Sequence, residues 1–300
     1  MTDFGADVSF EAAAEKMKEH YRLEVPTDMI RKITQEHARK IGWVKGPDVN
    51  KEANMIVAEV DGGMIPIVEI GAKSQEIDLR KTRKTCWKEG KVCFAREHKA
   101  ISRIYGAIIG SPEEIGKKLY ECAKKVGLVE TTYVHGLGDG AQWIVDEMEN
   151  QFGTQSHFLV DFFHVSEYLA EASTWCDILN PKGWLEEKKE MMKASKGEKI
   201  LEELKIKLCN LENVSEDNGL VKCIRYMSKR LKYMDYAGAK QKDLPIGSGE
   251  IESSHRHLVQ KRLKIAGAWW KTENANAMLN LRTARANKYW EAYWNEKKAA

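Results

Sequence analysis

The period of the hydrophobic pattern changes several times along the chain. Residues 9–41 carry apolar positions at helical spacing in two runs separated by "RLEVP". Ser9 suits the N-cap of the first helix, which puts Phe10, Ala13 and Met17 on one face. Thr27 or Asp28 opens the second. Its Ile30, Ile33 and Ile41 are expected inward, and Arg31, Lys32, Gln35, Arg39 and Lys40 outward. A helix pair with a basic second member suits a helix-turn-helix on DNA, and equally an αα-hairpin with a solvated face. Residues 54–70, "NMIVAEVDGGMIPIVEI", read as two β-rich runs around Asp61-Gly62-Gly63, an expected hairpin. "TCWKEGKVCFARE" (85–97) predicts a further strand with a turn near Glu89-Gly90. Residues 112–126 predict a helix, with Pro112 and acidic Glu113 and Glu114 at its start, Lys124 and Lys125 at its end and Gly127 beyond.

An alternating segment follows. "VETTYVHGL" predicts a strand, "GDGAQWIVDEMENQF" a turn and helix, "SHFLVDFFHV" a second apolar strand and "SEYLAEASTW" a helix. This order predicts a βαβ unit with parallel strands. Residues 178–240 are rich in Lys, Glu and Leu at helical spacing, with a loop near "NVSEDNG" (213–219). After Gly249 the pattern is helical to the end, with Trp269, Trp270, Trp290 and Trp294 along it.

With 300 residues, 43% hydrophobic and 31% charged, the chain can bury a substantial core and is not of disordered composition. A net charge of +3 does not by itself imply nucleic acid, so local clusters carry that question. No apolar run reaches the length of a membrane span, and "MTDFGADVSF" is not a signal peptide, so a cytoplasmic protein is expected. The cysteines form no CxxC pair and are expected to be inert thiols.

Three carboxylates stand beside glycines at expected element ends: Asp61 in "AEVDGG", Asp139 in "HGLGDGA" and Glu252 in "GSGEIES". Taken singly, they read as a turn former, a helix N-cap and a first-turn acid facing the helix dipole. Brought together by a sheet they would repel unless a cation sat among them, and hard oxygen ligands suit Mg²⁺ or Mn²⁺. Two such ions roughly 3.5–4 Å apart stabilise phosphoryl displacement. Asp161 and His164 form an Asp-x-x-His at a strand end, read either as neighbours of that site or as a helix-start Asp and a packed histidine. Arg256, Lys261, Arg262 and Lys264 follow Glu252. With "LRKTRK" (79–84) and the stretch Lys222–Lys232 they are candidate phosphate grips, and otherwise solvated faces. Arg256 is four residues beyond Glu252, on its face. Trp269 and Trp270 suit either core packing or stacking on a frayed base.

The segments "VDGG" (60–63), "GDGAQWI" (138–144), "DFFHVSEYL" (161–169), "GSGEIES" (247–253) and "RLKIAGAWW" (262–270), in this order, resemble bacterial insertion-sequence DDE transposases of the ISKra type, within the mutator-like superfamily. "HYRLEVPTDMIRKIT" (20–34) resembles the region before their catalytic core. The resemblance implies an α/β, ribonuclease-H-like mixed sheet flanked by helices, with an all-α insertion and an N-terminal helix pair. It places a helix-turn-helix-like DNA-binding segment at 1–50, the first part of the core at 51–177, the insertion at 178–243, and the second part of the core with C-terminal helices at 244–300. It assigns Asp61, Asp139 and Glu252 as catalytic and as ligands of two Mg²⁺ or Mn²⁺ ions, with Asp139 preferred over Asp161. Asp161, His164 and Glu250 are accessory candidates. DNA would meet Arg256, Lys261, Arg262, Lys264, Arg31 and Lys32. Full-length members carry a longer N-terminal part, so a shortened, split or domesticated copy is expected.

The activity implied is metal-dependent DNA cleavage and strand joining on transposon ends and target DNA, by a homo-oligomer and without membrane partners. The alternatives are a non-catalytic DNA-binding descendant and a metal-dependent nuclease of the same fold.

Overall fold

The computed structural model describes residues 1–42, 51–70 and 82–299. In chain order the elements are α1 (Thr2–Asp7), α2 (Phe10–Tyr21), α3 (Thr27–Lys40), β1 (Met55–Ile70), β2 (Arg83–Glu97), β3 (Ile104–Ile108), α4 (Pro112–Lys125), β4 (Tyr133–Gly138), α5 (Gln142–Phe152), β5 (Ser156–Val160) and α6 (Phe162–Cys176). Then come α7 (Pro181–Lys193), α8 (Gly197–Cys209), α9 (Gly219–Arg230), α10 (Tyr236–Gln241), α11 (Gly249–His255), a π-helical turn (Arg256–Gln260), α12 (Lys261–Leu263), α13 (Thr272–Ala286) and α14 (Trp290–Ala299). The fold is mixed α/β, with a five-stranded open sheet in the order β3-β2-β1-β4-β5. Contacts divide the chain into two compact units, Met1–Thr132 with Gly249–Ala300, and Tyr133–Ser248. The segments expected at 1–50 and 244–300 fall largely within the first unit, and the expected boundary after residue 177 lies inside the second.

In the first unit β1 and β2 form one long antiparallel ribbon, paired from Ile56↔Glu97 to Ile70↔Arg83. The hairpin expected at Asp61-Gly62-Gly63 does not form, nor does the turn at Glu89-Gly90. Gly63 lies opposite Gly90 in mid-ribbon. These glycines serve close approach instead: a Cβ on Gly90 would lie 2.3 Å from Ile65 Cδ1, and one on Gly62 2.3 Å from a Glu89 carboxylate oxygen. Asp-Gly marks a turn only where flanking strands cannot simply continue. Here apolar Ile65 and Ile67 carry β1 onward into the core. The same core takes Val92 and Phe94 from β2, Ile251, Val259 and Leu263 from the α11–α12 segment, and Met278, Leu279 and Leu281 from α13. Of the basic stretch 79–84, residues 79–81 lie outside the described residues, as do 43–50 of the N-terminal segment.

The helix pair forms as expected. Ser9 Oγ accepts the Ala12 N–H at 3.1 Å, and Arg22 ends α2 in the left-handed conformation, φ 58°. The buried face of α3 is Ile30, Thr34, Gln35 and Ala38. Gln35, expected outward, is therefore inside, because α3 packs against both α1 and α13 and its covered stripe is wide. Ser111 and Glu114 close a capping box on α4.

Strand β3 lies at the end of the strand order, where unpaired backbone groups cost free energy if buried. Helix α13 supplies the missing partners. The Asn287 amide accepts from Tyr105 N–H at 2.8 Å and donates to Tyr105 O at 2.9 Å. Asn276 does the same for Ile109, at 2.7 and 3.1 Å. Both amides imitate a neighbouring strand's peptide groups.

In the second unit β4 and β5 are parallel, in register from Val134↔Ser156 to Gly138↔Val160, and α5 connects them, as the alternating pattern predicts. α6 packs against α7 and α9, so residues 178–240 are helical as expected.

Replacing Asn287, which is 3% exposed, with Leu strands the Tyr105 N–H and C=O together. The expected loss is about 2 kcal/mol in denaturant unfolding of the full chain; a loss below about 0.5 kcal/mol would show that the amide does not hold this edge.

Candidate active site

Along β1 the two-residue period puts Glu59, Asp61 and Gly63 on one face. Glu59 is wholly buried, and its Oε2 accepts the Ile251 N–H in the first turn of α11 at 3.0 Å. Four residues further, the His255 ring covers Gly63 so closely that a Cβ there would lie 2.2 Å from Cε1. These two contacts clamp α11 onto β1. Asp61 sits midway between them on the strand, and Glu252 follows the capped Ile251 on the helix. A strand carboxylate and a helix carboxylate thus flank one junction, Asp61 half-buried and Glu252 exposed. Burial pushes the His255 imidazole down, Lys264 adds to this, and a backbone bond at Gly90 opposes it, so the ring is neutral near pH 7.

Glu250, two residues before Glu252, is locked elsewhere. Arg96 donates from Nε to Oε2 at 3.0 Å and from Nη2 to Oε1 at 2.9 Å, and Arg103 Nε donates to Oε2 at 2.7 Å. Burial works to raise its pKa, but the hydrogen bonds and charges of Arg96 and Arg103 outweigh this and hold it below the usual carboxylate value. It anchors α11 to β2 and to the segment entering β3.

In the second unit Asp139 occupies the turn between β4 and α5. Its Oδ1 accepts the Ala141 N–H at 2.8 Å and the residue is exposed. Gly140 has φ +78°, and a Cβ there would lie 2.8 Å from Arg230 Cδ. Helix α9 grips the backbone of this turn: Tyr226 OH donates to Asp139 O at 2.7 Å and Arg230 Nε to Gly140 O at 2.6 Å. Burial keeps the Tyr226 phenol protonated far above its ordinary range. Asp161 is a buried N-cap. Its Oδ1 accepts from the N–H of Phe163 at 2.6 Å and of His164 at 3.3 Å, while Oδ2 accepts from Ser248 N–H at 2.9 Å and from the Ser248 hydroxyl. Both oxygens are engaged in fixing α6. His164 packs edge-on to Tyr168 and Tyr226, with Nδ1 3.4 Å from Glu167 Oε2. These rings line a cleft of about 560 Å³ whose other wall is the basic face of α9, including Arg225 and Lys229.

The other residues read from the sequence scatter in role. Arg256, Lys261 and Lys264 are exposed, and Arg256 forms no ion pair with Glu252 among the described residues. Arg262 is not a surface cation: at 2% exposure it lies between the Phe10 and Trp270 rings, because α12 turns that position inward. Arg31 and Lys32 both pair with Asp28 on their own helix. Glu59 and Tyr226 carry no local signal as site-building residues, and Arg230 enters the sequence reading only within the basic stretch Lys222–Lys232, since each acts through a backbone group distant in sequence.

Among the described residues no three His, Cys, Asp or Glu side chains group to hold a metal ion. The Asp61 and Glu252 carboxylates are of the oxygen type that Mg²⁺ and Mn²⁺ take. The model of the Uncharacterised protein family (UPF0236) matches residues 9–298. The chain belongs to the UPF0236 family. A comparison with curated proteins gives no match. The matched span of this UPF0236 chain runs from the cap of α2 into α14 and so includes Asp61, Asp139 and Glu252.

Because the folded-state pKa of Glu250 lies below its unfolded value, its pairing stabilises the fold at neutral pH. That contribution is lost as pH falls through the folded pKa. Glu250→Gln is expected to cost about 2 kcal/mol at pH 7, a buried-pair figure discounted for partial exposure. The difference from wild type should shrink as pH falls from 7 below the ordinary carboxylate range, as read by denaturant melts; a difference that stays constant over the acid range would contradict the ion-pair assignment.

Proposed function

We propose that this UPF0236 chain is a DDE-type DNA transposase, cleaving and joining DNA strands by metal-dependent phosphoryl transfer on a ribonuclease-H-like core. The observation that carries this reading is the α11–β1 clamp. It buries Glu59 and lays a histidine on a glycine, and so gives Asp61 and Glu252 one junction, with no ion pair to Glu252 among the described residues. The mixed sheet with flanking helices and the helical segment between Asp139 and Glu252 agree with it. Asp139 is proposed as the third carboxylate, since its side chain is exposed while both Asp161 oxygens are engaged.

Divalent cations held by Asp61, Asp139 and Glu252 would supply charge stabilisation to attacking and leaving oxygens. The chain's own residues do the rest. The clamp fixes the Asp61 and Glu252 backbones, α9 fixes the turn bearing Asp139, and Arg256, Lys261 and Lys264 present cations beyond Glu252 for phosphates. DNA ends and target DNA are the proposed substrates, and Mg²⁺ or Mn²⁺ the proposed cofactor.

The test uses the full chain, the inverted-repeat ends flanking its gene, and Mg²⁺ or Mn²⁺. Asp61→Asn, Asp139→Asn and Glu252→Gln should each lower cleavage and joining by at least about a hundredfold, in line with loss of charge stabilisation at a reacting phosphate. Their melting temperatures should stay near that of wild type. Joining of a pre-cut end separates a transposase from a nuclease. DNA binding with no cleavage in either metal would leave a non-catalytic DNA-binding protein instead.

A further inference from the structure

Phe163, the second residue of α6, is 63% exposed. Single exposed apolar side chains are common and need no ligand. Phe163 differs because the chain around it holds its ring in one place. Asp161 Oδ1 accepts its N–H at 2.6 Å, which fixes the backbone. The ring lies against Gly247, where a Cβ would come within 2.5 Å of Cε2 and 2.6 Å of Cδ2. Gly247 is not in the left-handed region, so room for the ring is what requires glycine there. The segment around Gly247 is fastened on both sides. His135 Nε2 donates to Pro245 O at 2.8 Å, Phe162 N–H to Ile246 O at 2.8 Å, and Ser248 N–H to Asp161 Oδ2 at 2.9 Å. Phe162 is buried and meets both Phe163 and Tyr236 edge-on, each at 5.5 Å. A ring bedded on backbone at one side and open to water elsewhere is a preformed contact surface.

Its place in the fold indicates what the ring meets. Strands β4 and β5 are parallel, and Asp161 N–H donates to Gly138 O at 2.7 Å, so Asp139 and Phe163 both leave the carboxyl end of this strand pair. Ligands of parallel sheets bind outside that end. His164, the next residue, lines the cleft whose far wall carries Arg225 and Lys229, with Glu167 and Glu171 on the α6 side. Arg225 and Lys229 are exposed, and neither has an ion pair among the described residues. A flat apolar face beside the Asp139 turn, with open cations close by, fits a molecule that joins a flat ring to an anion.

We propose that Phe163 is a positioning residue, on whose ring stacks the base next to the phosphate that Asp139 receives. This deepens the reading above and rests on its premise that nucleic acid is the substrate. Every base offers a π-face, so the contact selects an unstacked nucleotide and not a sequence. Because that base must leave its pair, Phe163 favours the last nucleotides of a duplex end over its interior. It acts on the phosphate only through the base and touches no reacting atom.

The experiment uses the full chain without divalent metal, so that no strand is cut. The probe is the inverted-repeat end flanking the gene, as a duplex in which each nucleotide near the terminus is replaced in turn by an abasic residue. Phe163→Ala, at an exposed position, should melt with wild type and bind the intact end about tenfold more weakly, within the range of a lost base stack. Phe163→Trp should keep the wild-type affinity. At one probe position the abasic residue should weaken wild type by a similar factor and leave Phe163→Ala unchanged, since the two changes remove one contact. If wild type binds the end but Phe163→Ala binds as well, or its loss adds to the abasic loss at every position, the contact is overturned and the transposase reading stands. A Phe163→Ala chain that loses an oligomeric state held by wild type, with no such coupling, overturns it too and assigns the ring to a contact between copies. If wild type does not bind the end, both readings fall.

Discussion

The arrangement depends on a buried carboxylate. Glu59 lies wholly inside the first unit and accepts a backbone N–H from the first turn of α11, 192 positions later in the chain. A helix start needs acceptors for its free N–H groups, and a buried carboxylate needs donors, and this bond supplies one of each. The contact fixes where α11 begins on β1. Four residues on, the absence of a side chain at Gly63 lets His255 close the distance. With both ends of the contact set, the residues between them have little freedom in relative position. Asp61 and Glu252 are those residues.

Other elements repeat this logic of a side chain completing a distant backbone. Asn276 and Asn287 finish the edge of β3 from α13. Tyr226 and Arg230 finish the turn at Asp139 from α9, and Asp161 ties Ser248 to the start of α6. Each of these polar groups is used to capacity or nearly so, which separates residues that build the site from residues able to act in it. Asp161, with two donors on each oxygen, and Glu250, held by two arginines, belong to the first kind. Glu252 and Asp139 are exposed.

The tryptophan pair after α12 shows how two adjacent residues of one type take opposite roles. Trp270 lends its backbone to a bridge with β1 and its ring to the Arg262 contact, whereas Trp269, one residue earlier, faces outward. Alternation along an extended bridge segment accounts for the split.

The sequence by itself determined most of the helices and the β4–α5–β5 unit. The cap at Ser9, the helical period of α3, the acidic start and basic end of α4, and the alternation behind β4–α5–β5 are local signals, and all are realised in the fold. It also singled out the glycine-flanked acids, because residue type and neighbours are visible without coordinates. What only the tertiary structure decided is the meaning of those glycines and the burial of the cations. Asp61-Gly62-Gly63 carries the same local turn signal in a hairpin and in a continuous strand, and the core contacts of Ile65 and Ile67 chose the strand. Gln35 and Arg262 have polar side chains, yet each is inside because elements from the opposite end of the chain cover it, α13 over the face of α3 and α1 with Phe10 over Arg262 of α12. Such choices depend on surfaces that meet only after folding, and no window of neighbouring residues contains them.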